Sequence, residues 1–177
     1  PVSSAASDVY KRQVMGDTKI NLSSTEDLSK VIYSRKVQDK SIWTSMFNIG
    51  IDKRTKRAKR RPRINDRAFH ELVNKYTDPV FKTIAQQCTE CHGVGHIRRI
   101  KKDGSPFSKM SKCSKCNGQG MLFIDTEARA GFNWKANSVQ DTAQGGFKTD
   151  KETLNRIAVY AEGSLKEFID CLSLIHI

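Results

Sequence analysis

Cys88-Thr89-Glu90-Cys91-His92-Gly93-Val94-Gly95 and Cys113-Ser114-Lys115-Cys116-Asn117-Gly118-Gln119-Gly120 are two copies of one pattern, CxxCxGxG, with 21 residues between Cys91 and Cys113. A CxxC turn presents two sulfurs on one knuckle with backbone N–H groups aimed at them, and two knuckles supply the four tetrahedral ligands of a structural zinc site. The glycines let the chain turn back under each knuckle at positive φ. Cys88, Cys91, Cys113 and Cys116 are therefore expected to hold one structural zinc. A catalytic zinc needs an open coordination position, which four thiolates do not leave. A redox dithiol is expected between a strand and a helix, and neither copy reads that way. His92 and His96 could compete as ligands, but the thiolates complete the set without them.

Between the knuckles, Asp103-Gly104 is a hairpin turn signal. The strands on either side then carry Arg98, Arg99, Lys101, Lys102, Lys109 and Lys112. A zinc-stapled basic hairpin suits contact with phosphates. Outside the module, eight of the eleven residues from Lys53 to Arg63 are basic: Lys53, Arg54, Lys56, Arg57, Lys59, Arg60, Arg61 and Arg63. Such a run cannot bury itself and reads as an exposed loop that could meet DNA.

The whole chain is basic in the same sense. Its 177 residues carry 31 Lys+Arg against 19 Asp+Glu, a formal charge of +12, with 37% hydrophobic residues. That length suits one domain, or one domain with an insertion. No run approaches the ~18 consecutive apolar residues of a membrane span, and no charged segment leads into an apolar signal core. No membrane partner is expected. Five cysteines, four of them in close pairs, read as metal chemistry in a reducing compartment and not as a disulfide framework. Cys171 reads as a free thiol.

Helices flank the module. Ser23-Ser24-Thr25-Glu26-Asp27-Leu28 offers a Ser cap with an acid three residues on, so a helix is expected over 25–34. Trp43, Met46 and Phe47 give one face to a short helix over 40–48. Phe69, Leu72, Val73 and Tyr76 fall at helical spacing after a cap at Asn65 or Asp66. Asp78-Pro79 reads as a cap and first turn opening a further helix through Val80, Phe81 and Ile84. Residues 132–146 read as loop. Thr149-x-x-Glu152 and Ser164-x-x-Glu167 read as capping boxes of two last helices. Asp150-x-Glu152 has the form of an exonuclease's first acidic motif, but without a preceding apolar strand it reads as part of a cap. The fold class is α+β: mostly helical segments with an inserted two-knuckle zinc-binding β-hairpin module. The expected division is an adaptor-like tail over 1–13, a helical part with the basic loop over 14–87, the zinc module over 88–123, a second helical part over 124–171 and another adaptor-like tail over 172–177. Both tails resemble translated adaptor sequence and are set apart from the fold.

CxxCxGxG also occurs in the cysteine-rich region of J-domain chaperones. That family has four repeats and a His-Pro-Asp tripeptide, whereas this chain has two repeats and no such tripeptide. The flanks resemble another family. Ile20-Asn21-Leu22-Ser23-Ser24-Thr25-Glu26-Asp27-Leu28-Ser29-Lys30-Val31-Ile32 resembles the entry to the thumb of family A DNA polymerases. Gly146-Phe147-Lys148-Thr149-Asp150-Lys151-Glu152-Thr153-Leu154 resembles the capped helix before the palm, and Phe168-Ile169-Asp170 the start of the thumb helix running into it. Phage polymerases of this family can carry a two-knuckle insertion between such segments.

That resemblance, over residues 20–170, implies a DNA-directed DNA polymerase as parent, a nucleotidyltransferase of DNA replication in the cytoplasm of a bacterial host. The piece at hand would grip duplex or primer-template DNA. The palm's D-Y-S and H-D-E motifs, and the magnesium they hold, lie outside it, so the fragment alone is expected to be inactive. The resemblance is silent on an upstream exonuclease, a processivity partner and the host. Alternatives are a stand-alone zinc-ribbon protein that binds nucleic acid and a J-type chaperone region.

Overall fold

The computed structural model describes residues 4–46, 51–57, 66–136, 142–143 and 146–175. It combines helices with small two-stranded sheets, an α+β arrangement. The chain forms two units: Pro1–Lys82 with Glu127–Ile177, and Thr83–Thr126. Among the described residues no helix is long and apolar enough to cross a membrane.

The first unit is built from helices α1 (Ser4–Met15), α2 (Thr25–Tyr33), α3 (Lys40–Met46), α4 (Asp66–Tyr76), α5 (Lys151–Tyr160) and α6 (Gly163–Ile175). The Ser24 hydroxyl accepts the Asp27 N–H at 3.4 Å, giving α2 its cap, and Glu26 and Asp27 lie in the first turn, where acids suit the helix dipole. Leu28, Val31 and Ile32 bury the helix face the spacing marks, and the helix ends where Ser34 turns left-handed at φ 57°. Trp43, Phe69, Phe168, Met15, Ile32, Ile169, Leu172 and Val31 are each less than 2% exposed and form the centre of the core. Each large apolar side chain so buried contributes roughly 1.5–3 kcal/mol relative to exposure.

Several expectations need correction. No helix opens at Asp78-Pro79. Thr77–Pro79 is strand β2, antiparallel to β1 (Arg35–Val37), with Arg35 opposite Pro79, and Phe81–Gln87 is strand β3. Proline pushes the residue before it into extended backbone, and the β-branched and aromatic residues that follow suit a pleated ribbon. The Val80 N–H, bonded to the Ser34 carbonyl at 3.0 Å, continues the pairing. The cap of α5 is Asp150, not Thr149: its carboxylate accepts the Thr153 N–H at 2.8 Å. The Ser164 box is displaced too, since α6 starts at Gly163. The 132–146 stretch is loop where described, apart from the short pair β7 (Thr142–Ala143) and β8 (Gly146–Phe147). Phe47 and Asn65 lie outside the described residues.

The end segments take part in this unit. The Tyr10 hydroxyl in α1 donates to the Glu167 carboxylate of α6, Met15 is fully buried, and Leu172 is 1% exposed within α6.

The two stretches quoted for the polymerase resemblance meet in space although more than a hundred residues separate them. The Tyr33 hydroxyl donates to the Lys148 carbonyl at 2.8 Å, the Phe147 N–H to the Ser29 hydroxyl at 3.1 Å, and the Thr149 hydroxyl to the Thr25 carbonyl at 3.4 Å. Phe147 also packs edge-on to Trp43, with ring centroids 5.5 Å apart.

The second unit is the cysteine module. It contains most of β3 and of its hydrogen-bonded partner β6 (Met121–Arg129), together with the antiparallel pair β4 (His96–Ile97) and β5 (Ser111–Lys112).

Candidate metal centre

Each CxxCxGxG copy folds as a knuckle, and the two are near duplicates. In the first, His92, Gly93 and Gly95 have φ of 49°, 86° and 79°; in the second, Asn117, Gly118 and Gly120 have 49°, 79° and 75°. This run of left-handed backbone explains the glycines, since a Cβ is unfavourable there. The Gly95 N–H donates to Cys91 Sγ and the Gly120 N–H to Cys116 Sγ, both at 3.2 Å. The knuckles also clasp each other: Cys88 N–H bonds to the Gly120 carbonyl and Cys113 N–H to the Gly95 carbonyl, both at 2.9 Å.

This clasp turns all four cysteine sulfurs inward. Cys88 and Cys113 are 0% exposed, Cys91 and Cys116 5%, and the four sulfurs lie within 4.8 Å of one another. The shortest pairs run across the knuckles, Cys88 to Cys113 at 3.8 Å and Cys91 to Cys116 at 3.6 Å. Such a cluster of buried donors could bind a metal ion. His92 and His96 are exposed and stand outside it. Ile97 and Leu122 cover it with apolar surface.

Electrostatics favour charge at one end of the cluster. Burial opposes the Cys116 thiolate, but the Gly120 N–H and the neighbouring thiols of Cys91, Cys113 and Cys88 bring its pKa down to about 7. At Cys113 the Cys116 N–H favours the thiolate, while burial and the hydrogen bonds with the Cys116 and Cys88 thiols prevail and push it up to about 12. As a thiol, Cys113 donates to Glu90 Oε2 at 3.5 Å.

Both CxxC copies do follow strands, β3 and β5, but each continues as a turn and neither opens a helix. The helix dipole that lowers a thioredoxin-like cysteine's pKa is therefore missing.

The hairpin is present but irregular. β4 and β5 pair His96 with Lys112 and Ile97 with Ser111, and beyond them a single bridge joins Ile100 to Pro106. At the tip, Lys101 N–H bonds to the Ser105 carbonyl at 2.8 Å, Gly104 has φ 84°, and the Asp103 carboxylate accepts both the N–H and the hydroxyl of Ser105. Arg98, Arg99, Lys101 and Lys102 are all exposed, and among the described residues none makes a salt bridge. The Lys101 ammonium lies 5.7 Å from the centre of the Phe107 ring.

Of the basic run, Lys53, Arg54, Lys56 and Arg57 are exposed on a closed turn in the first unit. Asp52 organises it: its carboxylate accepts the Arg54 and Thr55 N–H groups at 2.9 and 2.7 Å, and its N–H bonds to the Arg57 carbonyl at 2.9 Å. Lys59, Arg60, Arg61 and Arg63 lie outside the described residues. Sequence reasoning missed a second cationic cluster, Arg35, Arg129 and Lys135, which lines a cleft of the first unit. These residues are dispersed along the chain, and no local motif joins them. No protein-family model, curated protein or solved structure matches the chain.

Proposed function

We propose that Cys88, Cys91, Cys113 and Cys116 hold one structural zinc, and that the stapled module presents its basic hairpin to the phosphates of duplex or primer-template DNA. The carrying observation is the sulfur geometry. Zinc–thiolate bonds of ~2.3 Å in a tetrahedron put neighbouring sulfurs about 3.8 Å apart, and the cross-knuckle pairs stand at 3.8 and 3.6 Å. Four thiolates close the coordination sphere, so the metal's contribution is folding. Phosphate contacts of this kind position a duplex without reading its sequence.

The wider setting we propose is the thumb of a family A DNA polymerase. The hydrogen bonds that join the 20–32 and 146–154 stretches support it, because an insertion leaves its two flanks adjacent. Polymerisation itself would need two magnesium ions held by palm carboxylates beyond this chain, which supplies grip alone.

The test is the salt dependence of duplex DNA binding by the zinc-loaded chain. Each neutralised phosphate contributes about −0.9 to the slope of log affinity against log salt, so replacing Arg98, Arg99, Lys101 and Lys102 together with alanine should flatten that slope by up to about 3.6. Affinity should fall alike for unrelated sequences. An unchanged slope in a folded, zinc-loaded quadruple variant would refute the hairpin as the grip.

A further inference from the structure

The first unit contains a cleft of about 270 Å³ whose charged lining, among the described residues, is all cationic. Arg35, Arg129 and Lys135 line it together with His70, and no Asp or Glu is among its described lining residues. Arg129 lies close enough to disfavour the charge of Arg35, a strain that a bound anion relieves, and arginine forks match phosphate oxygens two at a time. We propose that this cleft binds the phosphate of a single nucleotide, with the base against Trp134.

Each wall is built for the task. Arg35 stands at the start of β1, and its guanidinium donates to Asn74 Oδ1 at 2.5 Å and to the Thr77 hydroxyl at 3.3 Å. Those bonds aim it without neutralising it. Burial, and next the charge of Arg129, make protonation of Arg35 less favourable than usual, while Asp78, outside the lining, acts the other way. Among the described residues none of Arg35, Arg129 and Lys135 makes a salt bridge.

The aromatic side is held as firmly. Phe132 and Trp134 N–H groups bond to the Val31 and Ile32 carbonyls at 2.8 and 2.9 Å, and Asn133 N–H to the Ser34 hydroxyl at 2.7 Å. Gly131, at φ 80°, lets this segment lie against the end of α2: an added Cβ would meet Ser34 Oγ at 2.5 Å and the Val31 carbonyl oxygen at 2.6 Å. Trp134 is only half-buried, so part of its ring can stack on a base, an interaction tolerant of base identity. Buried Tyr33, Phe69 and Phe147 form an apolar floor. The volume lies just below the about 300–1,000 Å³ of drug-sized ligand sites, which suits nothing larger than one nucleotide and excludes a duplex.

The inference does not depend on the metal or the hairpin. Its test is a calorimetric titration of the full, zinc-loaded chain with deoxyadenosine 5′-monophosphate, inorganic phosphate and deoxyadenosine. The monophosphate should bind with unit stoichiometry, phosphate more weakly, and deoxyadenosine least. Arg129 is exposed, so Arg129→Ala should fold normally and weaken monophosphate binding about tenfold or more, while Arg129→Lys, which keeps the charge and loses the fork, should fall between.

The phosphate could belong to a free nucleotide or to the 5′ end of a strand. Competition by a 5′-phosphorylated single-stranded oligonucleotide, but not by its unphosphorylated form, identifies the strand end; failure of both to compete identifies the free nucleotide. The proposal is overturned if the monophosphate does not bind at millimolar concentration, if deoxyadenosine binds equally well, or if a folded Arg129→Ala variant binds the monophosphate as wild type does.

Discussion

Gly95 and Gly118 have the same φ, 79°, so an alanine at either carries the same backbone cost. That cost is about 1–2 kcal/mol for left-handed backbone. Their surroundings differ. A Cβ on Gly95 would come closer than 3.0 Å to the carbonyl oxygen of Gly118, which is knuckle backbone, whereas the three atoms nearest a Cβ on Gly118 would be side-chain carbons of Lys112, at 3.0 Å and beyond. A lysine chain swings away, but the knuckle backbone cannot move without opening the thiol cluster. Gly120 repeats the situation of Gly95, with the Gly93 carbonyl oxygen in the way. Overpacking a closed interior adds about 1–3 kcal/mol. Gly95→Ala and Gly120→Ala should therefore each cost about 2–5 kcal/mol, against about 1–2 for Gly118→Ala.

Because folding of a small metal module is coupled to metal binding, the loss appears as lower zinc affinity. At about 1.4 kcal/mol per tenfold, Gly95→Ala and Gly120→Ala should bind zinc about 5- to 150-fold more weakly than Gly118→Ala. Competition with a chromogenic chelator measures this directly. Equal affinities for Gly95→Ala and Gly118→Ala would refute the claim that the knuckles are locked backbone against backbone.

Chelation should remove on the order of 10 kcal/mol of local folding energy. Hydrogen exchange of residues 88–123 should then accelerate sharply while helical circular dichroism from α2, α5 and α6 persists, their core containing none of the four clustered cysteines. Zinc binding must displace thiol protons, held far more tightly at Cys113 (about 12) than at Cys116 (about 7), so affinity should fall as pH drops. A loss of about tenfold or more per pH unit below neutrality is expected, with proton release visible as a buffer-dependent enthalpy; no pH dependence would mean the thiols are not the ligands. Asp150→Ala should cost about 1 kcal/mol at neutral pH by uncapping α5. The bond from the Thr153 N–H foremost holds the Asp150 carboxyl below its ordinary range, so this stability is complete above the unfolded pKa and is lost as pH falls through the lowered folded one. Wild type and variant should converge in acid denaturation, and a constant gap would contradict the capping role. On the proposed thumb reading the isolated chain should give no primer extension with magnesium, since its sequence contains neither a D-Y-S nor an H-D-E motif.

The features legible in the sequence were those with short-range causes. The cysteine cluster was readable because ligand spacing and glycine backbone are local, and the knuckle repeats them twice. Helix α2 was readable because its cap and apolar stripe sit within one stretch of chain, and α4 because its apolar stripe does. The acidic cap of α5 was one residue off, because Thr149 and Asp150 are both good caps and only the turn geometry chooses. Asp78-Pro79 failed for a deeper reason: the same dipeptide can open a helix or enter a strand, and it enters a strand here because β1 offers Arg35 to Val37 as a partner some forty residues earlier. Pairing between distant segments is decided by which edges the fold leaves open, and no local pattern records it. The cleft of Arg35, Arg129 and Lys135 is of the same kind, since like charges scattered along a chain become a site only when β1, the end of β6 and the segment after Gly131 are brought against α4 by the buried core they share.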